Sequence, residues 1–286
     1  MRVEAWPPDG GVAATAADVA TVTTRADVAG TETAAVSRPE RVRILGSPAD
    51  AVTMDGAVAV VERAVAGGGR CRILVTNANK AWLARRDARL RAILEAAELV
   101  VPEWATVWAA RRLRRPTLHH VGGFTLMVRL LDEAERRGWS TYYLGATAEV
   151  VDRLVARLRR ERPKLRIVGH HHGYLDAALD RSVRREIAAA RPELLFVAMG
   201  SPLQEYWIDD AWPELGASVA LGVGGSFDVL AGVKADAPAW ARGRGLEWLH
   251  RLAQDPRRYW RRYLVTNAWF VGAVLAERVR EVRRWR

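Results

Sequence analysis

Residues 194–228 read LLFVAMGSPLQEYWIDDAWPELGASVALGVGGSFD. An uninterrupted apolar run over 194–198 breaks at Gly200-Ser201-Pro202, a helical stretch opens near Gln204, and a second apolar run over 218–221 ends in Gly222-Val223-Gly224-Gly225. Strands that are apolar without alternation are covered on both faces, and two of them joined through a helix pair in parallel. Outside this unit, further β-rich runs stand at 72–75, 99–101, 141–144 and 166–168, with amphipathic stretches such as 126–136 and 148–162 between them. The alternation predicts an α/β fold over 41–238, a Rossmann-like, mostly parallel sheet flanked by helices. Residues 1–40, rich in Ala, Thr, Val and Asp without a period of 2 or 3.6, read as a flexible leader. Residues 239–286 read as a basic helical appendage of two or three stretches, rich in Arg and Trp.

In parallel sheets ligands sit beyond the carboxyl ends of the strands, so the loops after the strand candidates are where chemistry should collect. They read Thr76-Asn77-Ala78-Asn79, Pro102-Glu103-Trp104, Gly145-Ala146-Thr147, Gly169-His170-His171-His172-Gly173-Tyr174, Gly200-Ser201-Pro202-Leu203-Gln204-Glu205 and the glycine-rich run from Gly222 to Asp228. Any one of them reads equally well as a turn; polar and glycine residues at six strand ends point to one functional rim.

The chain has 286 residues, of which 50% are apolar, which supports a substantial core and excludes disorder of the whole. No stretch approaches the roughly 18 to 20 apolar residues of a bilayer-spanning helix, and the first thirty residues lack the layout of a secretory signal. A single cysteine, Cys71, makes neither an intramolecular disulfide nor a Cys-based zinc site, which suits a reducing compartment and a cytoplasmic protein. The net charge of +11 is unevenly placed: 1–40 carry a balance of −3, whereas 240–286 carry twelve arginines against four carboxylates. With Lys80, Lys164 and Lys234 the only lysines, positive charge is supplied as guanidinium, which grips phosphate bidentately, so an anionic partner is expected.

The ordered string Thr76-Asn77, Val100-Val101-Pro102-Glu103, Val107-Trp108-Ala109-Ala110-Arg111, Gly173-Tyr174, Gly200-Ser201-Pro202-x-Gln204-Glu205, Gly222-Val223-Gly224-Gly225-Ser226-Phe227-Asp228 and Gly245-Leu246-Glu247-Trp248-Leu249-x-Arg251-Leu252 resembles the WecG/TagA/CpsF family of bacterial glycosyltransferases over roughly 42–265. The resemblance implies inverting transfer of a sugar, typically N-acetylmannosamine or another hexose, from a UDP-sugar donor to a polyprenyl-diphosphate-linked sugar acceptor at the cytoplasmic membrane face, in cell-surface polysaccharide biosynthesis. The chain departs from the family pattern at Glu103-Trp104, where members usually carry Asp-Gly, and at Thr76-Asn77, where members usually have one more residue between the two. The first departure lengthens the presumed catalytic carboxylate and sets an indole beside it, so the acceptor pocket is expected to be reshaped, with Trp104 able to stack on a sugar face.

An inverting transfer needs a base for the acceptor hydroxyl and a stabiliser for the leaving diphosphate. Glu103, at a Pro turn after an apolar strand, is the best base candidate, with an N-terminal acid of the following helix as the competing reading. Thr76, Asn77 and Asn79 either supply neutral hydrogen bonds to the sugar or are strand-end turn residues. The resemblance further implies that Tyr174 contacts uracil, that Asp228 accepts from ribose hydroxyls and that Gln204 touches the donor, the last alternatively a helix-opening polar residue. Gly222, Gly224 and Gly225 permit close approach of backbone to phosphate. Phe227 stands where the last glycine of a dinucleotide fingerprint belongs, and no Walker A lysine exists, so no nicotinamide or other cofactor is expected. His170–His172 alternate faces in an extended chain without a carboxylate or cysteine at ligand spacing, and no Asp-x-Asp pair is present, so no metal is expected.

The leaving-group charge then falls to Arg251, with Arg258 and Arg261, which match family positions in the appendage. The arginines of 278–286 read as a patch for an anionic membrane surface, and Trp260, Tyr263, Leu264, Trp269, Phe270, Val274 and Leu275 as an apolar face for the interface, or alternatively as residues packed on the α/β domain. Together they predict a peripheral protein on the inner face of the bacterial membrane. Two rival classes remain: a basic nucleic-acid-binding protein, and an inactive membrane module of the same fold. Donor and acceptor sugars are left open, and so is assembly as a homo-oligomer.

Overall fold

The computed structural model describes residues 39–67, 69–238, 241 and 245–284. The predicted leader therefore falls, apart from Pro39 and Glu40, outside the described residues, as do Trp240, Arg242, Arg244, Trp285 and Arg286.

The chain opens with a hairpin, β1 (Arg41–Ile44) and β2 (Ser47–Asp50), antiparallel with Arg41 opposite Asp50. Leu45 and Gly46 both take positive φ at its turn, the backbone that a two-residue hairpin loop requires. Thr53 caps α1 (Met54–Val65), accepting from Gly56 N. Then follow β3 (Cys71–Thr76), α2 (Ala78–Ala84), α3 (Ala88–Ala96), β4 (Leu99–Pro102), α4 (Trp104–Arg112), α5 (Gly123–Arg137), β5 (Ser140–Gly145), α6 (Ala148–Glu161), β6 (Arg166–His171), α7 (Ala177–Ala190), β7 (Leu194–Ala198), α8 (Leu203–Ala211), β8 (Val219–Gly222) and α9 (Ser226–Leu230). The appendage contributes α10 (Glu247–Gln254) and α11 (Pro256–Arg284).

Strands β3 to β8 form one parallel sheet in the order β4-β3-β8-β7-β5-β6, and these are the six runs expected from the sequence. The central strands are buried on both faces, which is why they read as unbroken apolar runs. Ile73, Val75, Leu99, Val101, Val219 and Leu221 face α1, α5, α6 and α9, whereas Leu74, Val100, Leu195, Val197 and Ala220 face α3, α7 and α8. The α/β, Rossmann-like reading holds.

Two helices answer the two or three helical stretches expected over 239–286, and the second, the 29-residue α11, runs unbroken. It packs against α2, α4 and α10. Phe270 and Val274 are buried among Ala78, Ala81, Val107, Ala110 and the hairpin residues Val42 and Ile44, with Trp269 edge-on to Trp82 at 5.2 Å between centroids. This corrects the expectation that the whole apolar face is available to an interface: Trp269, Phe270 and Val274 pack on the core, while Trp260, Leu264 and Leu275 are exposed. No helix among the described residues is long and apolar enough to cross a membrane.

Candidate functional site

Strands β3 and β4 end in register, Thr76 opposite Pro102, so the residues that follow them, Asn77 and Glu103, emerge side by side. Asn77 is the N-cap of α2. Its Oδ1 accepts from Lys80 N at 3.0 Å, and its Nδ2 donates to Glu103 Oε2 at 2.9 Å. Glu103 occupies the N-cap position of α4 but makes no side-chain cap bond. Its carboxylate turns instead toward Asn77, away from the capping role that competed with the base role in the sequence.

Trp104 follows, and its ring stacks on His120 with centroids 4.5 Å apart and planes 15° from parallel. Burial pushes the His120 imidazole below its ordinary pKa, against the opposing pull of the Glu103 carboxylate, so the stacked pair is neutral near pH 7. Gly245, with φ +71°, closes over the indole: a Cβ there would lie 2.8 Å from Trp104 Cβ.

These groups line a cavity of about 510 Å³. Asn77, Asn79, Glu103, Trp104 and His120 come from the rim of the sheet and the loop before α5; Trp108 and Arg111 from α4; Glu247, Trp248 and Arg251 from α10; Tyr263, Asn267 and Phe270 from α11. A carboxylate set among the aromatic side chains of Trp104, Trp108, Trp248, Tyr263 and Phe270 suits a ligand with a hydroxyl to deprotonate and an apolar face to stack. A second cavity, about 40 Å³, lies against Gly225, Lys234, Asp236 and His250 and shares Glu247 and Arg251 with the first. Arg251 thus stands between the turn after β8 and the Glu103 pocket, with its guanidinium 3.9 Å from Glu247.

The other expected site residues lie elsewhere. Thr76 is buried beneath the cavity: its Oγ1 is 3.2 Å from Ser47 Oγ, and its carbonyl accepts from Glu103 N and Thr106 Oγ1. Gln204 is buried too, its Oε1 accepting from Gly224 N at 3.0 Å and its Nε2 donating to Glu205 at 2.8 Å. The close approach that Gly222 permits is used by Gln204 itself, whose Nε2 would sit 2.6 Å from a Cβ there. Gly224 takes φ +54° and has its amide engaged, leaving Gly225 as the glycine of this turn that faces a cavity. Asp228 lies 3.7 Å from Lys234 Nζ. Tyr174 is 74% exposed in the loop after β6, at the far edge of the sheet. Arg261 is exposed on α11, and the Arg258 side chain lies outside the described residues. His170 meets Asp152 at 3.0 Å, and no cluster of three His, Cys, Asp or Glu residues is placed to hold a metal among the described residues.

Sequence reasoning missed His120 and Tyr263 on the wall. His120 follows no strand, so the rule that located the other loops passes over it; the pair His119-His120 before Gly122-Gly123 was its one signal.

Residues 42–284 match the Glycosyl transferase WecG/TagA/CpsF family. The chain is 31% identical over 207 residues to an N-acetylglucosaminyldiphosphoundecaprenol N-acetyl-beta-D-mannosaminyltransferase of Bacillus spizizenii, covering 72% of this chain and 79% of the relative. It is 33% identical over 225 residues to a protein of the same name from Staphylococcus aureus (strain MW2), covering 78% and 88%.

Proposed function

The chain belongs to the WecG/TagA/CpsF family of glycosyl transferases, and on that premise we propose that it moves a sugar from a UDP-sugar to a polyprenyl-diphosphate-linked sugar, with inversion and without a metal. The relatives' names carry a lipid-diphosphate N-acetylglucosamine acceptor and a β-linked N-acetylmannosaminyl product, which makes this donor and acceptor the first pair to test. From an α-linked nucleotide sugar, a β-linked product requires a single displacement, and such a displacement requires one base.

The observation that carries the reading is the Glu103 carboxylate in the 510 Å³ cavity, held through Oε2 by Asn77 and walled by Trp104, Trp108 and Trp248. Glu103 takes the proton of the acceptor hydroxyl as that oxygen attacks the anomeric carbon. Asn77 and Asn79 orient the sugar, and Trp104 stacks on its apolar face. Arg251, bordering both cavities, receives the charge that develops on the departing diphosphate, with Arg258 and Arg261 in support. A guanidinium in that position does the work a divalent ion does elsewhere, so no metal enters the scheme. Thr76 holds the strand end that aims Glu103, Gly224 and Gln204 shape the donor turn, and Gly225, Asp228 and Tyr174 take the nucleotide.

The exposed apolar residues of α11, Trp260, Leu264, Val265, Val271 and Leu275, together with the arginines of its last turns, suit contact with an anionic bilayer. The protein then works as a peripheral membrane protein on the cytoplasmic face, where a polyprenyl-linked substrate resides.

The test is a panel of UDP-sugars offered with a polyprenyl-diphosphate N-acetylglucosamine analogue. Transfer giving a β-linked product is expected. No transfer from any UDP-sugar, or an α-linked product, overturns the proposal.

A further inference from the structure

Lys80 and Glu205 form an ion pair of 2.7 Å between Nζ and Oε1, with side chains 3% and 0% exposed. Two charges removed from water together seldom repay their desolvation, and replacing such a pair with neutral groups is often harmless to stability. Stability is therefore a poor account of this pair, and its place in the fold suggests another. Lys80 is on α2, which follows β3; Glu205 is on α8, which follows β7.

On each side of the pair stands a carboxamide oriented by a backbone amide. Gly224 N donates to Gln204 Oε1, which turns Gln204 Nε2 onto Glu205 Oε1. Lys80 N donates to Asn77 Oδ1, which turns Asn77 Nδ2 onto Glu103 Oε2. Neither amide can flip without setting its NH₂ group against an N–H donor. The result is one continuous path from the glycine turn after β8, through Gln204, Glu205, Lys80 and Asn77, to the Glu103 carboxylate.

We propose that the Lys80–Glu205 ion pair is a positioning pair that holds Glu103 in register with the glycine turn, so that the base and the donor-side turn move as one unit. The inference rests on Glu103 being the base. Glu205 Oε2 has no hydrogen-bond partner among the described residues, so the carboxylate is held through Oε1 alone, by Lys80 and Gln204, and depends on Lys80 for its charge balance. Neither residue lines either cavity, so their effect on the reaction passes through Asn77 and Gln204.

The test is the double variant Lys80→Met/Glu205→Gln, which removes both charges and keeps an acceptor for Gln204 Nε2. Misplacing a catalytic group by about 1 Å costs up to about 100-fold in rate, so kcat is expected to fall about 10- to 100-fold while the donor KM and the unfolding temperature stay close to those of the unmodified protein. Asn77→Ser, whose hydroxyl keeps an oxygen to cap α2 but is too short to reach Glu103 while it does so, is expected to reproduce the kcat loss and serves as the readout if the double variant does not fold. In a Glu103→Gln background the ion-pair substitutions should have no further effect on kcat, because the path ends at a residue that no longer acts as a base. A folded double variant with unchanged kcat, Asn77→Ser with unchanged kcat, or an equal loss in both backgrounds overturns the positioning role. Near-normal turnover of Glu103→Gln alone overturns the base assignment instead, so the two failures are told apart.

Discussion

Gly245→Ala is the substitution whose effect can be worked most directly from the geometry. Gly245 has φ +71°, a left-handed conformation that costs a residue with a Cβ about 1–2 kcal/mol. The new Cβ would lie 2.8 Å from Trp104 Cβ and 3.0 Å from Cγ, whereas carbon atoms settle at about 3.5–4.0 Å. Either the indole slides off His120, giving up a stack of about 0.5–1.5 kcal/mol, or the segment leading into α10 lifts away. The combined loss is about 2–3 kcal/mol, and at about 2–4 °C per kcal/mol for a chain of this size the unfolding temperature should drop by about 4–12 °C. Transfer should fall at least about tenfold, because Glu247, Trp248 and Arg251 follow within six residues and line the cavity. Thermal unfolding and initial transfer rates are the two measurements. In a Trp104→Gly background the stack and the steric conflict are both absent, so adding Gly245→Ala there should cost only the backbone strain, about 1–2 kcal/mol. A Gly245→Ala protein as stable and as active as the parent, or a cost of Gly245→Ala in the Trp104→Gly background as large as in the parent, would refute the claim that the appendage is seated on the indole.

Glu103→Gln keeps an acceptor for Asn77 and loses only basicity, so transfer should fall about 10²- to 10⁴-fold with donor binding unchanged, as read from single-turnover rates and UDP titration; near-normal turnover removes Glu103 from the chemistry. Arg251→Ala should cost about 3–4 kcal/mol of barrier, a factor of hundreds in rate, while the parent enzyme keeps its activity in excess EDTA; chelator-sensitive activity restored by magnesium or manganese would reassign the leaving-group role. Replacing Arg278, Arg280 and Arg283 with Glu, which leaves the packed Trp269, Phe270 and Val274 in place, should release the protein from anionic vesicles in a flotation assay, and unmodified protein should dissociate as salt shortens the Debye length to about 3 Å at 1 M; salt-insensitive attachment, or unaltered attachment of the charge-reversed chain, counts against a membrane role for α11.

The fold was legible where burial left its mark on composition. Strand β7, Leu194–Ala198, is apolar at every position because both of its faces are covered; β4 and β8 carry the same mark, whereas the edge strand β6, RIVGHH, has no fully buried position. The hairpin of β1 and β2 was invisible because each strand is four residues long, Pro48 falls in the second, and Leu45-Gly46 at the turn is not the Asn-Gly or Asp-Gly pair that announces a hairpin. The site was legible to the extent that chain direction determines it: in a parallel sheet every strand ends at the same rim, so Asn77 and Glu103 could be placed there from the sequence alone. What no local pattern carries is pairing. Lys80 looks like one more polar residue of α2 until the fold brings Glu205 beside it from 125 positions away. Gly222 looks like room for a phosphate until Gln204 is found filling it.

The strand order gives a physical reason for the cavities to lie where they do. Strands β3 and β8 are neighbours, yet the chain leaves them toward opposite faces of the sheet. After β3, α2 leads Leu83 and Ala84 to the face that carries Leu74; after β8, α9 takes Phe227 and Leu230 to the face that carries Ile73 and Val75. Diverging connections leave a crevice between adjacent strand ends, and that crevice is the general place for ligands in open α/β sheets. Asn77 and Glu103 stand on one side of it, Gly225 and Asp228 on the other, and α10 closes over the top with Arg251 against both cavities. A substrate lying across this crevice with its reacting carbon near Glu103 would carry its phosphates under Arg251, which is the order of parts in a nucleotide sugar. Tyr174 follows β6, three strand spacings beyond β8, or about 14 Å at about 4.8 Å per strand. Contact between Tyr174 and the donor therefore requires the nucleotide to extend along the rim past β7 and β5, whereas the roles proposed for Glu103, Asn77 and Arg251 require no such reach.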